Sequence, residues 1–185
     1  MVAFLSYFYS LEIKASKKRV ENNFFCALFH DLPEALTRDI ISPVKYSVSG
    51  LDDIISDYEI QKVEDEIMPL VPKNMQDEFR YLLGIYEDRK KDEFLNKINL
   101  DSIKIVNSLD KYNHDKYNVI DGIALKACDR LSAFVEATIS ISHGVKSSEL
   151  LLGKKQILDK LKENGKIGEI DFYQLALEID SYLNK

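Results

Sequence analysis

The scarcity of glycine and proline is the feature that most limits what this chain can fold into. The 185 residues include 7 glycines and 4 prolines, roughly half the usual share. Because these residues interrupt helices and form tight turns, a chain with so few of them favours long ordered elements. Hydrophobic residues make up 45% of the chain and charged residues 30%, which argues against disorder and against a β-sandwich. We therefore expect one all-α domain over residues 1–185.

Cysteine usage and charge exclude several classes of protein. Cys26 and Cys128 lie in apolar stretches, where we expect reduced thiols of a cytoplasmic protein. The net charge is -6, and no basic stripe of the kind that duplex nucleic acid requires is present. The apolar opening, residues 1–8, is too short to span a membrane. We therefore expect neither a nucleic-acid partner nor a membrane, and the sequence leaves open whether the chain forms a homodimer.

Apolar residues recur at helical spacing along most of the chain. The first segment is apolar nearly all round, so we expect it to be a buried helix. Pro33 predicts that the second helix ends at Leu32, next to His30 and Asp31, and that a short helix carrying Glu34 follows. No strand pattern is evident. The predicted helices cover residues 1–19, up to 32, 49–70, 75–94, 120–142, 147–163 and 170–183, with a helix followed by a loop over 96–118.

The first helix has no start signal. No Ser, Thr, Asp or Asn precedes its apolar run, although such residues normally cap a helix. We therefore expect polypeptide upstream of Met1. On this hypothesis the chain is the carboxy-terminal part of a longer protein.

Two carboxylates occupy unusual positions. Asp31 and Asp129 each lie in an otherwise apolar helical stretch, where an unpaired charge costs several kcal/mol. Three kinds of partner would satisfy them: a neighbouring Arg or Lys, a set of hydrogen-bond donors, or a divalent metal. The imidazole of His30 beside Asp31 favours the metal.

Two segments around these carboxylates resemble a known family. Residues 27–46, ALFHDLPEALTRDIISPVKY, resemble the opening metal motif of the HD-domain metal-dependent phosphohydrolases. Residues 126–134, KACDRLSAF, resemble the later aspartate motif of that family. The likeness covers most of residues 1–46 and 120–140, and it is closest to the YfbR-like branch of bacterial 5'-nucleotidases, which act on deoxyribonucleoside monophosphates.

The resemblance implies an HD-domain helical bundle with a role for each matching residue. By this likeness His30, Asp31 and Asp129 are ligands of a divalent metal such as Mn, Co, Zn, Fe or Mg. Glu34 and Asp39 are the acid/base or water-orienting carboxylates, although a carboxylate at a helix start is also favoured by the helix dipole alone. Charge and position suggest Lys45 as a phosphate contact. The implied partner is a small phosphate ester, a nucleotide, and the implied activity is hydrolysis of that phosphomonoester.

This chain departs from the family pattern in one metal ligand. The family has a further metal-binding histidine before the first motif, and this branch also has an arginine and an aromatic residue there, whereas this chain has no histidine before His30. Two alternatives to a complete hydrolase therefore stay open. The missing histidine lies in polypeptide upstream of Met1, or the chain is a non-catalytic HD scaffold or regulatory module with an incomplete metal site.

Overall fold

Helices dominate the structure, which is a computed structural model describing residues 1–37, 50–85 and 94–183. The prediction of a helical bundle is confirmed. Short π and 3-10 turns link the fourth and fifth helices, and a small sheet precedes the sixth. The elements are α1 Val2–Glu12, α2 Lys17–Phe29, α3 Glu34–Thr37, α4 Leu51–Lys62, α5 Gln76–Leu83, β1 Asn96–Asn99, β2 Ile103–Ile105, β3 Ile120–Asp121, α6 Gly122–Ser142, α7 Ser148–Asn164 and α8 Phe172–Leu183.

The chain divides into two compact units. The first unit comprises Met1–Ala27 and Phe94–Lys185, and the second comprises Leu28–Glu93. The boundary falls within the last turn of α2. Each unit has its own apolar core.

The core of the first unit is built around α6. This helix packs against α1, α7 and α8, and its small residues allow close approach of its neighbours. Its C-terminus is stopped by His143 and Gly144, with Gly144 in the left-handed region at a φ of +96°, as the sequence predicts. The buried residues of this core are Tyr9, Ala124, Ala127, Cys128, Leu131, Phe134, Leu161, Phe172 and Ala176.

A buried ion pair ties α2 to the start of α6. Arg19 donates from Nε to Asp121 Oδ2 at 2.7 Å, and both side chains are over nine-tenths buried. Asn23 donates from Nδ2 to the same carboxylate at 2.7 Å and accepts the backbone N–H of Asp121 at 2.9 Å. Because Asp121 immediately precedes α6, these bonds fix the position of the helix N-terminus.

The structure contains a three-stranded antiparallel sheet in the order β2-β1-β3, and its strands β1 and β2 occupy the part of residues 96–118 where the sequence predicts a helix before a loop. In its register Lys97 faces Ile105 on one side and Ile120 on the other. The expectation of a chain without strands is therefore wrong. The strands are two to four residues long, too short to show the alternation that identifies a strand in a sequence.

The second unit is a smaller helical cluster. One apolar core joins the end of α2, the π turn Val63–Ile67 and α5. Its buried members are Ile60, Val63, Met68, Leu83 and Ile85. Arg80 on α5 forms two hydrogen bonds with the carboxylate of Glu64 on the π turn, at 2.7 and 2.8 Å. Helix α5 ends at Leu83 and is capped by Gly84, which has a φ of +72°, so the single helix predicted over residues 75–94 is too long. Its residues 86–93 lie outside the described part.

The first helix also differs from the expectation. It ends at Glu12 rather than near Arg19, and only one of its faces is buried, through Ala3, Ser6, Tyr9 and Ser10. The opposite face is apolar and exposed: Phe4 and Phe8 are 67% and 64% accessible. The prediction of a helix buried nearly all round is therefore wrong, because Tyr9, Val2 and Leu5 pack against the core whereas Phe4 and Phe8 lie on the opposite face.

Across the described residues, no helix combines the length and the apolarity that crossing a bilayer requires.

Candidate metal centre

His30 and Asp31 lie directly after Phe29, the last residue of α2, so the helix ends three residues before the predicted Leu32. Phe29 anchors this helix end, because its ring packs edge-on against Phe79 at a centroid distance of 5.1 Å. Leu32 packs into the same apolar cluster, and its N–H donates to the carbonyl of Phe29 at 2.9 Å. Two apolar anchors therefore flank the His-Asp pair and hold the turn that presents it.

The donor atoms of the His-Asp pair face each other. His30 Nε2 and Asp31 Oδ2 are 3.1 Å apart; the imidazole is buried, whereas the carboxylate is 68% exposed. Two ligands at about 2.1 Å from one ion, at right angles, are separated by about 3 Å. An imidazole nitrogen and a carboxylate oxygen also suit borderline and hard divalent ions. The 3.1 Å separation is that of an ordinary imidazole–carboxylate ion pair, and the chemistry of the two groups also suits a shared divalent cation.

Glu34 is the first residue of α3 and lies in the turn that follows Asp31. Its backbone N–H donates to the carbonyl of Asp31 at 3.1 Å, and Pro33 precedes it. The proline pre-sets the backbone for a helix start. Helix α3 therefore begins at Glu34, three residues after the candidate ligand Asp31. The predicted short helix carrying this carboxylate is confirmed.

Asp129 lies in the middle of α6, in the first unit. Its carboxylate is about one-third exposed, and it accepts a hydrogen bond from Lys126 Nζ at 3.1 Å, one turn earlier on the helix. The same ammonium group lies 4.0 Å from the centroid of the Phe94 ring. One of the partners that the sequence left open, a neighbouring lysine, is therefore present at this carboxylate.

The thiol beside this aspartate is buried. Burial, reinforced by the nearby carboxylates of Asp121 and Asp129, raises the pKa of Cys128 to about 12. A thiol that stays protonated at neutral pH is a poor ligand and a poor nucleophile. Cys128 is therefore a packing residue, in agreement with the expectation from the sequence.

The candidate residues divide between the units. His30, Asp31 and Glu34 belong to the second unit, whereas Asp129 belongs to the first. Within residues 1–37, 50–85 and 94–183, no three His, Cys, Asp or Glu side chains form a group that could hold a metal ion. The convergence of His30, Asp31 and Asp129 stays a prediction. Asp39 and Lys45 lie outside the described residues.

The sequence interpretation overlooked Lys126. Its spacing of three residues before Asp129 places both side chains on one face of α6, and this spacing is visible in the sequence. The interpretation also overlooked the Arg19–Asp121 pair, whose partners are separated by 102 residues. No local pattern reveals a pair so distant in the chain.

The fold is mostly helical, with a His-Asp pair at the end of α2 and an aspartate within α6. The chain belongs to the HD-domain family, whose model matches residues 1–157. HD domains form a superfamily of metal-dependent phosphohydrolases, and they are commonly hydrolases that use divalent metals. Comparisons with curated proteins and with solved structures gave no significant match.

Proposed function

We propose that this protein is a divalent-metal-dependent phosphomonoester hydrolase that acts on (deoxy)nucleoside monophosphates. The observation that carries the proposal is the 3.1 Å approach of His30 Nε2 and Asp31 Oδ2 in a chain of the HD-domain family. A separation of this size suits two ligands of one ion. The nucleotide substrate rests on the likeness of residues 27–46 to the nucleotidase branch.

In this proposal His30, Asp31 and Asp129 hold the metal. When bound, a divalent ion polarises the phosphoryl oxygens and lowers the pKa of the attacking water. Three protein ligands leave positions open for water and substrate. Lys126, which bonds Asp129 at 3.1 Å, keeps that carboxylate charge-balanced until a metal arrives.

Proton transfer is assigned to the carboxylates. Glu34 accepts a proton from the attacking water at one of its Oε atoms, while the water oxygen forms a bond to phosphorus. The ester P–O bond breaks, and Asp39, protonated before the step, donates its proton to the leaving nucleoside oxygen; the proton held by Glu34 is then released to restore both carboxyl groups through solvent. Lys45 contributes a charge-assisted hydrogen bond to a phosphate oxygen. The products are a nucleoside and inorganic phosphate.

Phosphate release tests the proposal. The purified protein is incubated with Mn, Co, Mg, Zn or Fe and with a panel of nucleoside and deoxynucleoside monophosphates. We expect phosphate release with at least one metal, and its loss by at least 100-fold in His30→Ala. The matched control is His114→Ala, because His114 is also followed by an aspartate but lies exposed in the first unit.

The same assay separates the hydrolase from a non-catalytic scaffold. Metal binding without turnover on any substrate contradicts the proposed reaction and favours the regulatory alternative. Turnover that is as fast in His30→Ala as in the parent protein contradicts the ligand assignment. Turnover with phosphate esters other than nucleotides retains the reaction and overturns the substrate class.

A further inference from the structure

A cavity of about 790 Å³ lies in the first unit, between the C-terminal end of α1 and the start of α6. This volume is in the range of pockets that hold small molecules. Asp121 lines the cavity, whereas the candidate ligand Asp129 lies about 12 Å further along α6 and does not line it. We call this cavity the α1–α6 pocket; the lining residues that define it below are Tyr9, Lys14, Arg19, Asn107, Asn164 and Gly168.

Contacts within the first unit fix the walls of the pocket. Asn113 accepts the N–H of Ser16 at 2.8 Å and donates to the carbonyl of Lys14 at 3.0 Å, which ties the loop after β2 to the end of α1. The turn after α7 packs on α1, because a Cβ atom added at Gly168 would lie 3.7 Å from Tyr9 Oη. A ligand therefore enters a pocket that is already formed, which lowers the entropic cost of binding.

The floor of the pocket holds buried hydrogen-bond donors. The side chain of Arg19 is 8% exposed, and it lines the pocket. Its Nε and Nη2 donate to Asp121, and its Nη1 donates to Asn113 at 3.4 Å. A guanidinium group has five N–H donors, and within the described part of the chain no acceptor takes the remaining two. Because buried donors are normally satisfied, the floor is suited to an oxygen atom of a bound molecule.

The charges around the pocket favour an uncharged ligand. Asp121 neutralises Arg19, so the floor presents donors without a net charge. Among the described residues, the rim carries two exposed lysines and three exposed carboxylates, which largely offset one another: Glu12, Lys14, Asp110, Lys166 and Glu169. No group of described carboxylates could hold a metal ion. A phosphate group would find no unbalanced positive charge here, and exposed charge pairs contribute little in water.

Carboxamide and apolar side chains share the walls. Asn107 and Asn164 line the pocket and are exposed. A carboxamide presents a donor and an acceptor side by side, as the edge of a nucleobase does. Ile13, Leu109 and Ile123 add apolar surface that suits the face of a ring. The walls therefore match a ligand that combines hydroxyl groups, an amide-like edge and a flat apolar face.

We propose that the α1–α6 pocket binds an uncharged nucleoside at a site separate from Asp129. The sugar hydroxyl groups accept hydrogen bonds from Arg19, and the base edge meets the amides of Asn107 and Asn164. The choice of a nucleoside among uncharged polar molecules rests on the proposed function, because a nucleoside is the product of that reaction. The pocket is then a product-binding site.

Calorimetric titration with deoxyadenosine, deoxyguanosine, deoxycytidine and thymidine tests the proposal. At least one of them is expected to bind the protein, in the presence of Mn, with a dissociation constant of roughly 100 µM, as a ligand of about 18 non-hydrogen atoms does. The affinity is expected to be the same at low and high salt, because the ligand carries no charge to be screened. The absence of binding by all four overturns the proposal, and so does binding of trehalose without binding of a nucleoside.

Substitutions locate the binding site. Asn107→Trp fills the pocket and Asn164→Leu removes one amide, and we expect the nucleoside affinity to fall at least about tenfold and about fivefold, respectively. The matched control is Gln156→Leu, an exposed carboxamide on α7 outside the pocket, which is expected to bind as the parent protein does. His30→Ala is also expected to keep the parental nucleoside affinity. Parental affinity in both pocket variants overturns the proposal, and loss of binding in His30→Ala alone assigns the nucleoside to the metal centre instead.

Amide spectra keep the proposal falsifiable if the pocket variants fail to fold. In the isotope-labelled parent protein, the nucleoside is expected to shift the N–H signals of Ser108, Asp110 and Gly168, and shifts confined to the surroundings of Asp129 overturn the proposal. The two proposals of this article fail separately. Phosphate release without nucleoside binding at the pocket retains the hydrolase and removes the pocket, whereas nucleoside binding at the pocket without phosphate release does the reverse.

Discussion

Single residues decide where the helix that carries Asp129 begins. Gly122 is its first residue, and a Cβ atom there would lie 2.2 Å from the carbonyl oxygen of Leu95. Asp121, one residue earlier, is held by Arg19 and Asn23. The start of α6 therefore depends on one residue without a side chain and on one buried ion pair.

Gly122→Ala is expected to destabilise the protein by about 3 kcal/mol. The clashing atoms belong to the Leu95 backbone, which cannot rotate away as a flexible side chain could. Urea unfolding measures the effect. Gly153→Ala is the control, because that helical glycine has no atom within 4 Å of the added Cβ, and we expect it to be neutral or stabilising by about 0.5–1 kcal/mol. Similar stability of the two variants would contradict the account.

Arg19→Met is expected to lower the free energy of unfolding by about 3–5 kcal/mol, because it leaves the carboxylate of Asp121 buried without its cation. The comparison is Lys160→Met, which breaks an ion pair with Glu163 whose side chains are 60% and 64% exposed. For an exposed pair we expect a change of at most about 0.5 kcal/mol. Chemical denaturation of both variants decides the question, and equal losses would refute the role of the buried pair.

Among the secondary-structure elements, long helices with a clear apolar periodicity are predictable from the sequence, whereas short strands are not. The period of apolar residues over 120–142 predicts α6 almost to its ends, and Pro33 predicts where the His-Asp pair lies. The hairpin β1–β2 was missed because four- and three-residue strands carry too little pattern. The burial of α1 was misjudged because Phe4 and Phe8 are apolar whether they face a core or an exposed surface.

The candidate site was predictable only in part for the same reason. The residue types of the candidates His30, Asp31 and Glu34 and the turn after α2 follow from local sequence. The Lys126 contact with Asp129 follows from helical spacing and could have been found. The Arg19–Asp121 pair joins residues that are distant in the sequence and depends on the tertiary fold, so no local motif predicts it.

Lys126→Met tests the pairing within α6. Its ammonium group bonds Asp129 at 3.1 Å and competes with any cation for that carboxylate. Removing this charge is expected to tighten divalent-metal binding about fivefold, on the order of 1 kcal/mol. Isothermal titration with Mn measures the affinity, with Lys160→Met as the control. Unchanged or weaker metal binding would show that Lys126 does not compete at the site.

For the whole molecule, buried protonated groups limit stability at alkaline pH. Burial raises the pKa of Cys128 to about 12 from its ordinary value of 9.0. Burial and the nearby Asp121 also raise the pKa of Tyr9. In both cases the folded protein keeps a proton that the unfolded chain loses first, so stability falls as the pH rises above the unfolded values.

Stability is therefore expected to be insensitive to Cys128 below about pH 9 and to fall between about pH 9 and 12. Urea unfolding at a series of pH values measures the slope. In Cys128→Ala the slope over this range is expected to become shallower, whatever the absolute stability of the variant. A slope that is identical in parent and variant would contradict the raised pKa of this thiol.

The account rests on the proposal that His30, Asp31 and Asp129 bind one shared cation. Isothermal titration of the metal-stripped protein with Mn tests it most directly. The account predicts about one ion per chain, loss of that binding in both Asp31→Ala and Asp129→Ala with unchanged helix content by circular dichroism, and parental binding in His114→Ala. Parental Mn affinity in Asp129→Ala would contradict the claim.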